Sequence, residues 1–239
     1  MLNKEIILTI EDLTMAYGDQ PVLWDNDLNI PKGSRTAIIG PNGAGKSTLI
    51  KGILGLEKRL SGHVKIFGEE GKKVRQRISY IPQSSSVNWN FPTTVLDVVL
   101  MGRYVRLGWI RRPGKSDRKA ALEALRYMGM ANYQNRQISE LSGGQKQRVF
   151  LARTMVSDAE VYFMDEPLAG VDQRTEKVIM DYLKEQQKKG KTSVVIHHDL
   201  NTVKDYFDYV VLLNKVVIAE GWVVDVFTPT HLKKAYGEK

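Results

Sequence analysis

Between the apolar run Thr36-Ala37-Ile38-Ile39 and Leu49-Ile50-Lys51-Gly52-Ile53-Leu54 lies Gly40-Pro41-Asn42-Gly43-Ala44-Gly45-Lys46-Ser47-Thr48, and no other stretch limits this chain so narrowly. The first run reads as a buried strand and the second as a helix. In that setting the pattern G-x-x-x-x-G-K-[ST] forms a phosphate-binding P-loop. Its glycines let successive backbone N–H groups turn inward around a phosphate chain, and the helix N-terminus behind them adds partial positive charge. Lys46 is expected to reach the β- and γ-phosphates of a nucleotide, Ser47 to offer its hydroxyl to Mg²⁺, and Thr48 to hydrogen-bond the α-phosphate. The loop alone leaves many NTPases open.

The 239 residues suffice for one large or two small domains with a sizeable core, and 42% hydrophobic with 26% charged residues is a globular balance. Apolar runs such as Tyr209-Val210-Val211-Leu212-Leu213 fall far short of the roughly 20 residues a membrane span requires. Met1-Leu2-Asn3-Lys4-Glu5 leads directly into a strand pattern, so no signal peptide is expected. The absence of cysteine excludes disulfides and thiolate metal sites and fits a cytosolic chain. The net charge of +8 is uneven: Arg103, Arg106, Arg111, Arg112, Lys115, Arg118 and Lys119 crowd one stretch against the single acid Asp117. Such a cluster can face nucleic acid, anionic lipid headgroups or water.

Pattern and turn signals predict strands at 6–10, 28–30, 35–39, 64–67 and 78–81, with turns at Tyr17-Gly18-Asp19, Pro31-Lys32-Gly33 and Gly68-Glu69-Glu70-Gly71. After Pro82 the spacing becomes helical, at 94–103, 116–128 and 146–156. A strand at 161–164, a helix at 173–188, a strand at 192–196, a helix at 199–206 and strands at 210–213 and 216–219 follow. Alternating β and α units argue a mainly parallel sheet covered by helices, an α/β fold. The expected organisation is a single domain over 1–239, in which 1–83 and 161–239 form the core, with an antiparallel β part, and 84–160 forms an inserted helical subdomain.

Phosphoryl transfer needs a metal carboxylate and a group that orients water. Asp165-Glu166-Pro167 ends the strand at 161–164, where Asp165 is placed to hold Mg²⁺ and Glu166 to polarise the attacking water. Leu141-Ser142-Gly143-Gly144-Gln145 precedes a helix and makes a second anion-binding helix start, without a lysine.

In this order and company the chain resembles the ATP-binding cassette (ABC) family, whose signature is LSGGQ, from about Ile6 to Tyr236. The resemblance implies ATP and Mg²⁺ as ligands and assigns further residues. Tyr17 matches the aromatic that stacks on adenine, and Gln83, after Tyr80-Ile81-Pro82, the glutamine that touches Mg²⁺. Asp172 in Ala169-Gly170-Val171-Asp172 matches the D-loop aspartate, and His198 the histidine that contacts the γ-phosphate. His197 matches no family contact, and four scattered histidines give no metal site. By resemblance, the signature of one copy closes on ATP held by the P-loop of another, so a symmetric homodimer is expected.

No spanning helices are fused to the cassette, so a separate transmembrane permease is expected, served indirectly by an extracellular or periplasmic substrate-binding protein. The location expected is peripheral, on the cytoplasmic face of the membrane. Val87-Asn88-Trp89-Asn90-Phe91-Pro92 through Met101-Gly102-Arg103-Tyr104, Arg148 to Arg153, Glu166 to Asp172 and His197-His198-Asp199-Leu200 look like the cassettes of manganese, zinc and iron-chelate importers. Asn88 stands where Asp is usual, and Trp222 where Pro is common. The cargo expected is a divalent metal, manganese first and zinc second, with an iron chelate or corrinoid as runner-up. The competing class is a soluble ABC ATPase acting on nucleic acid; lacking coiled-coil or zinc insertions and a second cassette, the chain is expected to have no nucleic-acid partner. The segment 83–119 is expected to grip the permease, with Trp89, Phe91 and Trp109 as aromatic anchors.

Overall fold

The computed structural model describes residues 5–18, 20–108 and 111–237, without the side chains of Lys72 and Lys73. Asp19, Trp109 and residues 1–4, which enter the expectations above for a turn, an anchor and a signal peptide, lie outside the described residues.

Strands β1 (Ile6–Tyr17), β2 (Gln20–Pro31) and β4 (Ser61–Ile66) form an antiparallel sheet in the order β2-β1-β4. Strands β3 (Arg35–Ile39), β5 (Ile78–Ile81), β6 (Val161–Met164), β7 (Thr192–Ile196), β8 (Tyr209–Asn214) and β9 (Val216–Trp222) form a second sheet, ordered β5-β6-β7-β3-β8-β9. Its pairs are parallel except β8 with β9. The helices are α1 (Lys46–Leu54), α2 (Val95–Met101), α3 (Tyr104–Leu107), α4 (Lys115–Tyr127), α5 (Gly143–Met155), α6 (Gln173–Lys188), α7 (Val203–Tyr206), α8 (Val223–Val226) and α9 (Pro229–Tyr236). Four of them, α2 to α5, lie between β5 and β6 in the chain. Among the described residues no helix is long and apolar enough to cross a membrane.

Continuous apolar runs are what a sheet buried on both faces demands, and the two faces serve different cores. In β3, Ala37 and Ile39 pack with the helices α2, α4, α5 and α6, whereas Ile38 packs with α1 and the antiparallel sheet. β8 divides the same way, Val210 and Leu212 against Val211 and Leu213. The period of two thus makes three layers: antiparallel sheet with α1, parallel sheet, helices.

Several elements depart from the sequence expectation. β1 and β2 run far past 6–10 and 28–30 because Asp12 (φ 55°) and Asp25 (φ 49°) sit in left-handed backbone at register shifts, which erases a readable alternation. Helix α5 begins at Gly143 rather than Lys146. Glycine is a poor helix former, but Ser142 and Gln145 make a capping box, Ser142 N donating to Gln145 Oε1 (3.0 Å), which secures the first turn. Conversely, the helix expected at 199–206 is only Val203–Tyr206, because the Asp199 carboxylate accepts from Asn201 N (2.9 Å) and Nδ2 (3.0 Å) and holds the chain in a turn. Helix α9 went unread, although Thr228 before Pro229 is an N-terminal signal.

The two sheets are latched by Asn26. Its buried amide donates to Trp24 O and Lys215 O (3.1 Å each) and accepts from Val217 N (2.6 Å), joining β2 to the β8–β9 turn. Arg103, read as part of a basic face, is largely internal. It pairs with buried Asp117 (2.8 Å) and donates to Val156 O (3.0 Å), tying the end of α2 to α4 and α5.

Candidate functional site

The P-loop leaves β3 and enters α1 through a passage that two glycines make possible. A Cβ on Gly40 would lie 1.9 Å from Leu213 O, and one on Gly45, itself at φ 92°, 2.6 Å from Leu23 Cδ2. β8 and β2 therefore press on the loop from two sides. The loop is also tied to the β8–β9 turn, Lys215 N donating to Ala44 O (2.9 Å). Lys46 is buried and donates to Gly40 O and Pro41 O, both at 2.8 Å. Burial pulls its ammonium below the ordinary lysine range, opposed by the charges of Glu166 and Asp165.

β5, β6, β7 and β3 are parallel neighbours, so their carboxyl ends lie on one edge, the crevice where open α/β sheets bind ligands. Residues far apart in sequence meet there. Ser47 Oγ donates to Asp165 Oδ1 (3.0 Å). Gln83 Nε2 donates to Glu166 Oε2 (3.0 Å), and His198 Nε2 lies 2.6 Å from Glu166 Oε1. With the carboxylate accepting, Nε2 carries the hydrogen. Glu166 has φ 53°, a strained conformation for a non-glycine residue, as β6 gives way to a turn. Asp165 is buried, which raises its pKa, and adjacent Glu166 adds to the rise while the Ser47 hydrogen bond opposes it.

A buried carboxylate bonded to a hydroxyl, beside an amide, is a hard-oxygen set of the kind Mg²⁺ takes. Ser47 and Asp165 fit that ion, and Gln83, whose NH₂ is engaged with Glu166, has its carbonyl oxygen left to offer one. A cavity of about 160 Å³ lined by Glu166, His197, His198 and Asp199 opens beside the cluster.

The remaining predicted residues lie elsewhere. Tyr17 is exposed at the end of β1. Leu141 is buried and Ser142 caps α5, while a Cβ on Gly143 would meet nothing within 4 Å, so this backbone lies open. Asp172 caps α6, accepting from Thr175 N (2.8 Å), a bond that lowers its pKa. Among the described residues no hydrogen bond joins 141–145 to 40–48. Trp89 is partly buried and packed edge-on against Phe150 with centroids 4.9 Å apart, and Phe91 is exposed.

Sequence reasoning missed the supports. Asn26 and Leu213 hold the P-loop without any motif to mark them. His197 is buried, with Nε2 2.7 Å from Thr202 Oγ1 and its ring beside Tyr206 and Phe207.

The sequence model described as ABC transporter matches residues 23–169. The zinc transport system ATP-binding protein TroB of Treponema pallidum is 58% identical over 228 residues, 95% of this chain and 86% of that one. The manganese transport system ATP-binding protein MntB of Bacillus subtilis is 55% identical over 228 residues, 95% and 91% of the two chains. A solved ATP-binding cassette in a dimeric, post-hydrolysis state bound to ADP and Pi superposes with a TM-score of 0.77 at 28% identity, covering 90% of this chain and 98% of that one.

Burial holds the His197 imidazole below its ordinary value, opposed by the charges of Asp199 and Glu176. The unfolded chain takes up this proton near pH 6.5, about the free imidazole value, whereas the folded chain takes it up only at lower pH. Its contribution is therefore complete above that pH and is lost as pH falls toward the folded value. The thermal midpoint should drop between about pH 7 and pH 5.5, a window around that pKa, more steeply in wild type than in His197→Asn. Parallel slopes would contradict this reading.

Proposed function

The chain belongs to the ABC transporter family, as an ATP-binding cassette, and from that premise we propose that it is the ATP-hydrolysing subunit of an importer that carries a divalent metal ion, manganese first and zinc second, into the cell. One observation supports the chemistry above all: Gln83 and His198, from two different strand ends, both bond to the Glu166 carboxylate. A carboxylate so oriented, with its second partner a histidine, is suited to take a proton from attacking water.

In this reading the γ-phosphate of ATP replaces the two carbonyls on Lys46, and the inward N–H groups of 42–48 take the phosphate oxygens. Lys46 is already desolvated, so little water must leave it when phosphate arrives. Ser47, Asp165 and Gln83 would hold Mg²⁺, which would supply charge neutralisation to the phosphate chain. Glu166 orients and deprotonates water, His198 contacts the γ-phosphate, and Tyr17, exposed at the hairpin end, stacks on adenine. The open backbone at Ser142 and Gly143 binds the γ-phosphate held by a second copy, with Leu141, Gly144 and Gln145 shaping that turn and Asp172 facing the partner. Two copies thus close on two nucleotides, and repulsion between ADP and phosphate parts them after hydrolysis.

The cassette is one domain whose segments 1–83 and 161–239 carry the nucleotide and whose segment 84–160 presents the signature and meets a separate permease. It works on the cytoplasmic face of the membrane. Arg111 and Arg112, exposed in the basic stretch, lie on the permease side. The metal cargo is supported by the names of relatives alike over almost the whole chain, since a cassette of this size touches nucleotide and permease rather than cargo.

Glu166→Gln should bind ATP with near-normal affinity yet lose about 10²-fold or more in turnover, as expected when a general base is removed. Equilibrium nucleotide binding and steady-state hydrolysis test this together; normal turnover, or loss of binding, would refute the role. The cargo is tested with the complex reconstituted in liposomes with its permease and binding protein. Manganese-loaded binding protein should stimulate hydrolysis and drive manganese uptake, whereas stimulation only by an iron chelate or another solute would overturn the metal assignment.

A further inference from the structure

Gln83 lies just past β5, and its upstream flank is bonded to α5 directly while its downstream flank is joined to the same helix face through Trp89. Upstream, Arg153 Nη2 donates to Tyr80 O at 2.9 Å; downstream, Trp89 Nε1 donates to Ser84 O at 2.8 Å. The two side chains meet on Phe150. The Arg153 guanidinium carbon lies 4.4 Å from the ring centroid, and the Trp89 indole packs edge-on against the same ring. Lys146 adds its ammonium 5.3 Å from the Trp89 ring. Residues 146, 150 and 153 share one helix face, and the first turn of that helix is the signature Ser142–Gln145.

Such an arrangement exceeds what packing alone requires. Arg153 is held where burial pulls its guanidinium below the ordinary arginine range. A long aliphatic side chain would fill that space without desolvating a charge. What the guanidinium adds is a directed bond to a carbonyl three residues before Gln83, and the Trp89 indole N–H adds one to the carbonyl just after it.

We propose that Trp89, Phe150 and Arg153 are positioning residues that clamp the Gln83 segment to the signature helix. A displacement of α5 as its signature engages a second copy's nucleotide then carries Gln83 with it, and Gln83 in turn sets the Glu166 carboxylate. The inference rests on the role of Gln83 proposed above.

The test is a double-mutant cycle in the full-length chain, with kcat and equilibrium ATP affinity measured for Trp89→Ala, Trp89→Phe, Gln83→Ala and the Trp89→Ala/Gln83→Ala pair. Trp89→Ala should lower kcat by about tenfold or more, the scale of a small misplacement near the reacting atoms, and leave affinity within about twofold. Trp89→Phe, which keeps a ring on Phe150 but loses the bond to Ser84 O, should recover part of the loss. On the Gln83→Ala background Trp89→Ala should cost nothing further. Equal losses on both backgrounds would overturn the clamp, as would kcat, affinity and thermal midpoint falling together without rescue by Trp89→Phe. Wild-type turnover in Gln83→Ala would instead overturn the reading of Gln83. Hydrogen exchange gives a readout independent of turnover: Trp89→Ala should expose amides 80–89 while 143–155 stay protected, and unchanged exchange at 80–89 would refute the clamp.

Discussion

The Glu166 carboxylate, shared between Gln83 and His198, is the contact on which the rest of the site depends. It exists only because β5, β6 and β7 run parallel in register, with Ile81 opposite Met164 and Met164 opposite Val195. A slip of one residue in either pairing would turn the strand-end side chains to the opposite face. The same register sets Asp165, one residue before Glu166, beside Ser47 of the P-loop. Neighbouring carboxylates thereby receive different surroundings: Asp165 is buried against a hydroxyl, and Glu166 is half-open between an amide and an imidazole. Metal ligation suits the first, and handling of water suits the second.

The P-loop is fixed by the fold around it. Leu213 O and Leu23 leave no room for side chains at Gly40 and Gly45, while Lys215 bonds Ala44. Asn26 couples these supports by joining β2 to the β8–β9 turn, so the antiparallel sheet and the end of the parallel sheet hold the loop together. By contrast, the signature is held only from behind, through its capping box and the buried Leu141. Its open side has the backbone of Gly143, with no hydrogen bond to the P-loop of its own chain among the described residues. In the proposed function, one copy holds half of a reaction centre.

Much of this was legible in the residues. The spacing of Lys46, Ser47, Asp165 and Glu166 within strand and helix patterns marks them as one site, and Ser47 and Asp165 do meet. The α/β fold with its mainly parallel sheet followed from alternating elements, whereas the division into three layers came from the two cores. What could not be read depended on long-range contacts with no local pattern: the bulges at Asp12 and Asp25 that lengthen β1 and β2, Asn26 reaching Lys215 and Val217, and Arg103 turning inward to Asp117. The start of α5 lies at Gly143 rather than Lys146 because the Ser142–Gln145 capping box holds two glycines in the first turn. That Trp89 reaches Phe150 and Ser84 O is likewise a contact no local pattern announces.

The claim that two copies build each reaction centre is tested most directly by cross-linking. The chain has no cysteine, so introduced thiols are unique. Chains carrying Asn42→Cys and chains carrying Ser142→Cys, each on a Glu166→Gln background that retains ATP, are mixed and oxidised with and without ATP and Mg²⁺. The account predicts a disulfide between the two kinds of chain that forms with ATP and is nearly absent without it. An ATP-loaded mixture that yields no such cross-link, or one that forms equally without nucleotide, would contradict it.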